Sequence, residues 1–385
     1  MSFRYQLKRI VRRLEKTYVT HNRIEVSRSA ILHNLDLFTA LSDGQAAIPV
    51  LKGNAYGHGI AQVAQALKGR TLPYIAVDGY FEGLRVRQIT KQPILVMGSI
   101  LPENYKRLRY RGFTFVVHDT ASIHALGRTG RRIKVHLECN TGMNRYGAKP
   151  AEVVQLTQLI RRYKNLQLEG VMSHLADGDG NDQATINTAV TQFDACIDAV
   201  LAAGAKPTLF HIGNTPGTLR VRSKYANAFR LGIGLYGINP YAPDHKMYRK
   251  LKGLRPALKF VTTITKVIQL QKGDKVSYAY TFTAPRNMPL GVVPVGYYEG
   301  VNRALSNTGA FRVGADYARV AGRVCMNHTM LSLDGIPAKA GTEVVVYSNV
   351  PDDKNTIEAV AAAHKLFSYN LLTALSPDVR RVLVD

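Results

Sequence analysis

One lysine of the chain has the surroundings that make a lysine chemically useful. Lys52 lies in IPVLKGNAYGHG, residues 48–59, directly after an apolar strand-like run and directly before a small, glycine-rich turn. At a buried strand end the ammonium form loses its hydration, and the neutral amine can form a Schiff base with a carbonyl. A strand-end lysine taken alone is more often structural or on the surface, so the decision rests on the string around it. Cysteine chemistry is a poorer prospect. Cys139, Cys196 and Cys325 are scattered, odd in number and without a CxxC pair. That pattern argues against a disulfide framework and against a zinc or other metal site, and it suits a reducing cytosol.

The string KGNAYGHG resembles the pyridoxal-phosphate lysine motif of the alanine racemases, a family built of a barrel followed by a β domain. The resemblance runs from about residue 20 to the C-terminus and recurs in several ordered motifs. It implies that Lys52 carries pyridoxal 5'-phosphate and that Tyr56 contacts the phosphate. Phosphate is held by hydroxyls and clustered backbone N–H groups, commonly in loops before helices. In HIGNTPG, residues 211–217, Thr215 resembles the family's phosphate hydroxyl, and His211 and Asn214 match positions that line the cofactor. In FRLGIGLYG, residues 229–237, Gly232 and Ile233 resemble the N–H donors, and Arg230 resembles the arginine facing the pyridine nitrogen. Arginine keeps its proton near neutral pH, so that nitrogen stays largely unprotonated and the ring is a weaker electron sink. Prompt reprotonation is then favoured over transamination. A surface ion pair is the competing assignment for Arg230, and it fits poorly between two apolar strand residues.

Racemisation needs proton exchange on both faces of the α-carbon. The segment VSYAYTF, residues 276–282, resembles the one that carries the second base, and Tyr278 matches it; Tyr280 and Tyr297 are nearby rivals. The resemblance places this tyrosine in the partner's site and so implies a head-to-tail homodimer with shared active sites. A phenol of pKa about 10 needs positive neighbours to act as a base, and His174 resembles the histidine that links the tyrosine to the pyridine-side arginine. In NTGMNRYG, residues 140–147, Arg145 resembles the cation for the substrate carboxylate. Many relatives place a lysine, often carbamylated, seven residues earlier; here Glu138 stands there, either as a direct orienting anion or in a plain ion pair. Met326 resembles the backbone contact to the substrate carboxylate and Tyr297 the gate tyrosine, with Arg323 and Asp179 at channel positions. Asn327 replaces a common Asp, Tyr298 and Glu299 enlarge the gate segment, and Pro377 stands where an aromatic is often found. These departures leave serine, or a broader range of amino acids, open beside alanine.

These residues need a scaffold, and the hydrophobic pattern supplies one. From about residue 23, short apolar runs alternate with helical stretches: AAIPVLK, YIAVD, ILVMGS, FTFVVHD, KVHLECN, LEGVMSH, TLFHIGN and FRLGIGLYG. Eight strands with helical crossovers predict an α/β fold, a (β/α)8 TIM-type barrel over residues 20–248 whose strands end in polar or small residues at the active-site end. After about residue 249 the runs alternate and are punctuated by Gly, Pro and Asp, which predicts a mainly antiparallel β domain over 249–385. One helix-like stretch, TIEAVAAAHKLFSYNLLTAL, follows near the end.

Composition bounds the rest. The chain has 385 residues, 46% of them hydrophobic, enough for a sizeable core. No run suits a membrane span or a secretory signal, which predicts a cytoplasmic protein. The formal charge of +24 favours anionic surfaces in a non-specific way. It is spread over the whole chain, and no nucleic-acid motif accompanies it, so a specific nucleic-acid partner is not expected. Residues 1–19 form a basic extension whose spacing suits an amphipathic helix, either on a membrane surface or packed on its own domain. The resemblance thus implies a pyridoxal-phosphate isomerase that interconverts L- and D-alanine by a lysine and a tyrosine, supplying D-alanine for peptidoglycan. A racemase of serine or of several amino acids is the alternative among enzymes. A non-catalytic carrier of the cofactor is the alternative outside them, and such carriers resemble a bare barrel without a β domain.

Overall fold

The structure, a computed structural model, describes residues 18–385. The basic stretch at 1–19 therefore falls almost wholly outside the described residues.

The first strand, β1 (Arg23–Ser27), leads into helix α1 (Arg28–Leu41), whose first turn is capped by the Ser27 hydroxyl accepting from the Ala30 N–H at 3.1 Å. Then come eight parallel strands: β2 (Ala46–Pro49), β3 (Ile75–Val77), β4 (Ile94–Val96), β5 (Phe113–Val117), β6 (Ile133–Glu138), β7 (Leu166–Met172), β8 (Leu209–His211) and β9 (Ala228–Leu231). They pair in chain order from β3 to β9, β9 pairs with β2, and a parallel bridge between Val50 and Ala76 closes the ring. Each strand falls on a predicted run, though β6, β7 and β9 begin one or two residues before theirs. Most of their residues are apolar on both sides because a barrel strand has a core on each face. Ile48, Val50, Tyr74, Leu95, Val116 and Met172 pack together inside, each contributing roughly 1.5–3 kcal/mol of burial. Outside, Ile31, Leu35 and Phe38 of α1 face the strands, fully or almost fully buried.

The second part is built on β10 (Leu258–Thr263), β11 (Lys266–Leu270), β12 (Lys275–Val276), β13 (Phe282–Thr283), β14 (Met288–Val293), β15 (Ala310–Val313), β16 (Asp316–Arg319), β17 (Thr329–Ser332), β18 (Glu343–Tyr347) and β19 (Arg380–Val384). Its largest sheet runs β16-β15-β18-β10-β1-β19, antiparallel except for β1 with β19. So β1, which opens the segment expected to form the barrel, is a central strand of the other sheet. The alternation in RIEVS explains it. Ile24 and Val26 are fully buried, while Arg23 and Glu25 on the other face meet Glu343 and Lys259. Two other expectations divide. The run ALKFVTTITKVIQL breaks after Thr263, and its halves join different sheets. The last helical stretch is two short helices, α2 (Ile357–Ala363) and α3 (Ser368–Thr373), parted at Lys365 with φ of 53°.

Candidate active site

Lys52 follows the end of β2 and is half-buried. The chain then turns left-handed: φ is 62° at Gly53, 53° at Asn54, 55° at Ala55 and 50° at Tyr56. Each non-glycine residue in that region costs roughly 1–2 kcal/mol, and such strain persists only where neighbours over-determine it. Here they do. Ala55 N–H donates to Leu51 O at 2.9 Å, Gly59 N–H to Asn54 O at 2.9 Å, and Gly53 N–H to Glu82 Oε1 at 2.7 Å. Gly57, at φ of 79°, lies so close under α3 that a Cβ there would run into the Leu372 carbonyl.

Lys52 and Tyr56 border a cleft of about 960 Å³ at the carboxyl ends of the barrel strands. Glu138 ends β6, and Arg145 reaches the cleft from the following loop. That loop is clamped by Asn140 N–H to Ala148 O and Ala148 N–H to Glu138 O. His174 and Asp179 arrive after β7, Asn214 and Thr215 after β8, and Arg230, Gly232 and Ile233 from β9 and its end. Distant motifs therefore meet in one cavity. His211 does not border it. It is fully buried behind Arg230.

The electrostatics of the cleft are set by burial. The Arg230 guanidinium is 3% exposed. Its Nη1 donates to His211 Nδ1 at 2.6 Å and His211 O at 2.9 Å; its Nη2 donates to Ser173 O at 2.6 Å and His174 Nδ1 at 2.9 Å. Its Nε–H keeps no protein partner among the described residues. Burial brings Arg230 down to about 10, with Glu138 opposing, so it stays a cation at neutral pH. Burial, with Arg230, Arg145 and Lys52 nearby, brings His174 down to about 3, so it is a neutral ring whose Nδ1 accepts. Burial raises the Glu138 carboxyl, against the pull of Arg230, His118 and Arg145. Burial, helped by Asp78, pushes Tyr56 up to about 12, which keeps it a phenol that can donate.

The donor set fits a pyridoxal phosphate. The Thr215 hydroxyl accepts from Gly232 N–H at 3.1 Å and Gly234 N–H at 3.4 Å, so a hydroxyl and clustered amides share one corner. A Cβ on Gly232 would stand 2.8 Å from the Tyr56 hydroxyl, filling the cradle between them. A cation with an N–H that keeps no protein partner among the described residues, Arg230, borders the same cavity.

Three predicted residues are elsewhere. Tyr278, Tyr297 and Met326 are 69%, 46% and 54% exposed and do not border the cleft of their own chain. They lie on loops of the β domain that are tied together: Ser277 Oγ donates to Arg323 O at 2.7 Å, and Tyr297 N–H to Cys325 O at 3.0 Å. Pro377 is exposed and is not a lining residue either; Tyr369 of α3 supplies an aromatic instead, 6.0 Å from the Tyr56 ring. Tyr369 carried no motif of its own. Asp78 and Glu82 were also missed, although Asp78 closes the run YIAVD and Glu82 follows it, where a barrel builds its site. Among the described residues no helix is long and apolar enough to cross a membrane, and no cluster of three or more metal-ligating side chains occurs.

A closed barrel with its polar cleft at the carboxyl end, carrying a β domain, defines the class: a two-domain racemase, an isomerase. The chain belongs to the alanine racemase family: the profile of its N-terminal domain matches residues 26–240 and that of its C-terminal domain residues 257–383. The alanine racemase of Sorangium cellulosum is 31% identical over 93% of this chain and 98% of its own. A solved alanine racemase of Clostridium difficile superposes with a TM-score of 0.88 at 26% identity, covering 96% of this chain and 97% of that one. A histidine racemase from Leuconostoc mesenteroides superposes with a TM-score of 0.85 at 25% identity, over 95% of this chain and 98% of its own.

Proposed function

We propose that the protein interconverts L- and D-alanine with pyridoxal 5'-phosphate, as a homodimer that shares its active sites, and so supplies D-alanine for peptidoglycan. The observation that carries the reading is the meeting of Lys52, the Thr215–Gly232 cradle and Arg230 in one cavity. Lys52 would hold the cofactor; Tyr56, Thr215, Gly232 and Ile233 would hold its phosphate; Asn214 would line it, and Arg230 would face its ring nitrogen. Bound there, the cofactor supplies a sink for the electron pair left when the α-proton departs.

The residues do the rest. Arg145 binds the substrate carboxylate, and Glu138 supplies the orienting negative charge that a carbamylated lysine gives many relatives. Lys52 Nζ takes or returns a proton on one face of Cα. Tyr278 of the partner subunit takes the opposite face, with His174 as its link to Arg230. A neutral His174 donates from Nε2 while Nδ1 accepts from Arg230, so one imidazole bridges the two. Met326 and Tyr297 of the partner subunit complete the rim.

A second reading, a racemase of another amino acid, draws on the histidine racemase of the same architecture and on Asp78, an acid in the cleft without a hydrogen-bonded partner for its carboxylate among the described residues. One experiment separates them. Purified protein is expected to show a band near ~420 nm that borohydride removes, and to form D-alanine from L-alanine faster than D-serine or D-histidine from their enantiomers. A preference for serine or histidine replaces the substrate; a band without racemisation favours a cofactor carrier; no band after added cofactor overturns the role of Lys52.

A further inference from the structure

A barrel interior is normally filled by apolar side chains, yet this one carries two fully buried histidines, His136 and His211. A buried polar group left unpaired costs about 1–3 kcal/mol, so the direction of every proton here matters. Arg230 can only donate, and its Nη1 lies 2.6 Å from His211 Nδ1. That nitrogen is therefore bare, and the one proton of neutral His211 sits on Nε2. His211 Nε2 lies 3.0 Å from His136 Nδ1, which must then accept. The proton of His136 is left on its own Nε2, which has no hydrogen-bond partner but stands 3.6 Å from the Glu169 carboxylate. At 3.6 Å this is an electrostatic contact rather than a hydrogen bond.

The line is built into the backbone. The register of β6 against β7 shifts between Val135 and His136. A Cβ on Gly170 would stand 2.8 Å from the His136 ring, so glycine there makes room for it. At the far end, Tyr74 and Lys134 both bond to Glu169. Burial alone would raise the Glu169 carboxyl, but the nearby His136 ring and the bonds from Lys134 and Tyr74 bring it down to about 2. Burial holds both imidazoles neutral.

We propose that Glu169 and His136 are positioning residues for Arg230: the Glu169 charge fixes the proton of His136 on Nε2, which fixes that of His211, whose bare Nδ1 holds the guanidinium in the orientation it presents to the cleft. This rests on the reading of Arg230 as partner of the cofactor ring. Without the charge, His136 and His211 can both flip to the other tautomer, and a His211 Nδ1–H then faces an Arg230 N–H, donor against donor. The guanidinium must move.

The test is imidazole nitrogen NMR on full-length protein labelled with 15N at histidine, with and without pyridoxal 5'-phosphate, for wild type and Glu169→Gln. The wild type is expected to carry protons on Nε2 of both rings, with or without cofactor. Glu169→Gln is expected to give mixed tautomers at His211 and a kcat roughly ten- to a hundredfold lower, with KM changed less than about twofold. A wild-type His211 protonated on Nδ1 overturns the proposal without any variant, as does an unchanged His211 tautomer in Glu169→Gln. The tautomer line together with failure to bind pyridoxal 5'-phosphate leaves the positioning intact and refutes the reading of the site.

Discussion

The barrel cleft and the exposed loops of the β domain are ordered in opposite ways. In the cleft the side chains themselves are fixed: Thr215 and Arg230 are 3% exposed, Glu138 6%, and Arg230 donates five hydrogen bonds to its neighbours. In the β domain the backbone is fixed and the side chains are bare. Ser277 is held at φ of 65°, and Gly322 packs so closely that a Cβ would stand 2.6 Å from Ser277 Cβ. Yet Tyr278 beside it is 69% exposed. On the proposed two-base mechanism, the cleft holds the binding groups and one base, and the second base is a side chain that its own chain presents outward.

The strongest way to break that comparison is to mix two dead proteins. Lys52→Ala is expected to lose at least about a thousandfold in rate, and Tyr278→Phe about a hundred- to ten-thousandfold. If sites are shared, co-refolded chains form mixed dimers with one intact site, and activity returns to about a quarter of wild type at random association. Recovery at the background of either variant would show that Tyr278 serves no partner's site.

What could be read in advance follows the same division. Lys52, Thr215 and Arg230 were legible because each stands in or directly after a short apolar run, and a barrel strand places its last residues at one end whatever its partners do. His136 and Glu169 were not, because their role depends on which side chains meet across four strands, and no local spacing encodes that. β1 misled for a related reason: a five-residue alternating strand carries no mark of the sheet it will join, and its neighbours β10 and β19 lie more than 200 residues away. Pro377 and Tyr369 show the limit of matching by position. The aromatic at the cleft comes from α3, eight residues before the proline that occupies the expected place.

Two changes within the cleft sharpen the comparison at smaller scale. Gly232→Ala puts a methyl 2.8 Å from the Tyr56 hydroxyl and is expected to weaken pyridoxal phosphate binding about tenfold, a loss of ~1.4 kcal/mol measured by cofactor titration. Glu138→Ala removes the anion beside Arg145 and is expected to lower kcat/KM several-fold to about tenfold, without any response to added carbon dioxide. An undiminished kcat/KM would reduce Glu138 to an ion-pair residue. Tyr280→Phe, on the exposed loop but not at the matching position, is expected to leave both quantities within about twofold.

The smallest effect separates two carboxylates of the same barrel by sign. Glu169, brought down to about 2 from 4.5, binds its proton less readily folded than unfolded. Between those values the unfolded chain holds more protons, so stability rises with pH; the contribution is present in full above about 4.5 and is lost as pH falls towards 2. Glu138 is raised by burial, so the folded chain holds the extra proton, and stability falls as pH climbs from 4.5 through its folded value. Urea unfolding across the acid range should therefore show a flatter acid limb for Glu169→Gln. For Glu138→Gln it should show a gain on the less acidic side of that range. Identical limbs in wild type and Glu169→Gln would mean that the carboxylate at the base of the barrel is not held by His136, Lys134 and Tyr74 as a charge, and the line of tautomers that it anchors would lose its fixed end.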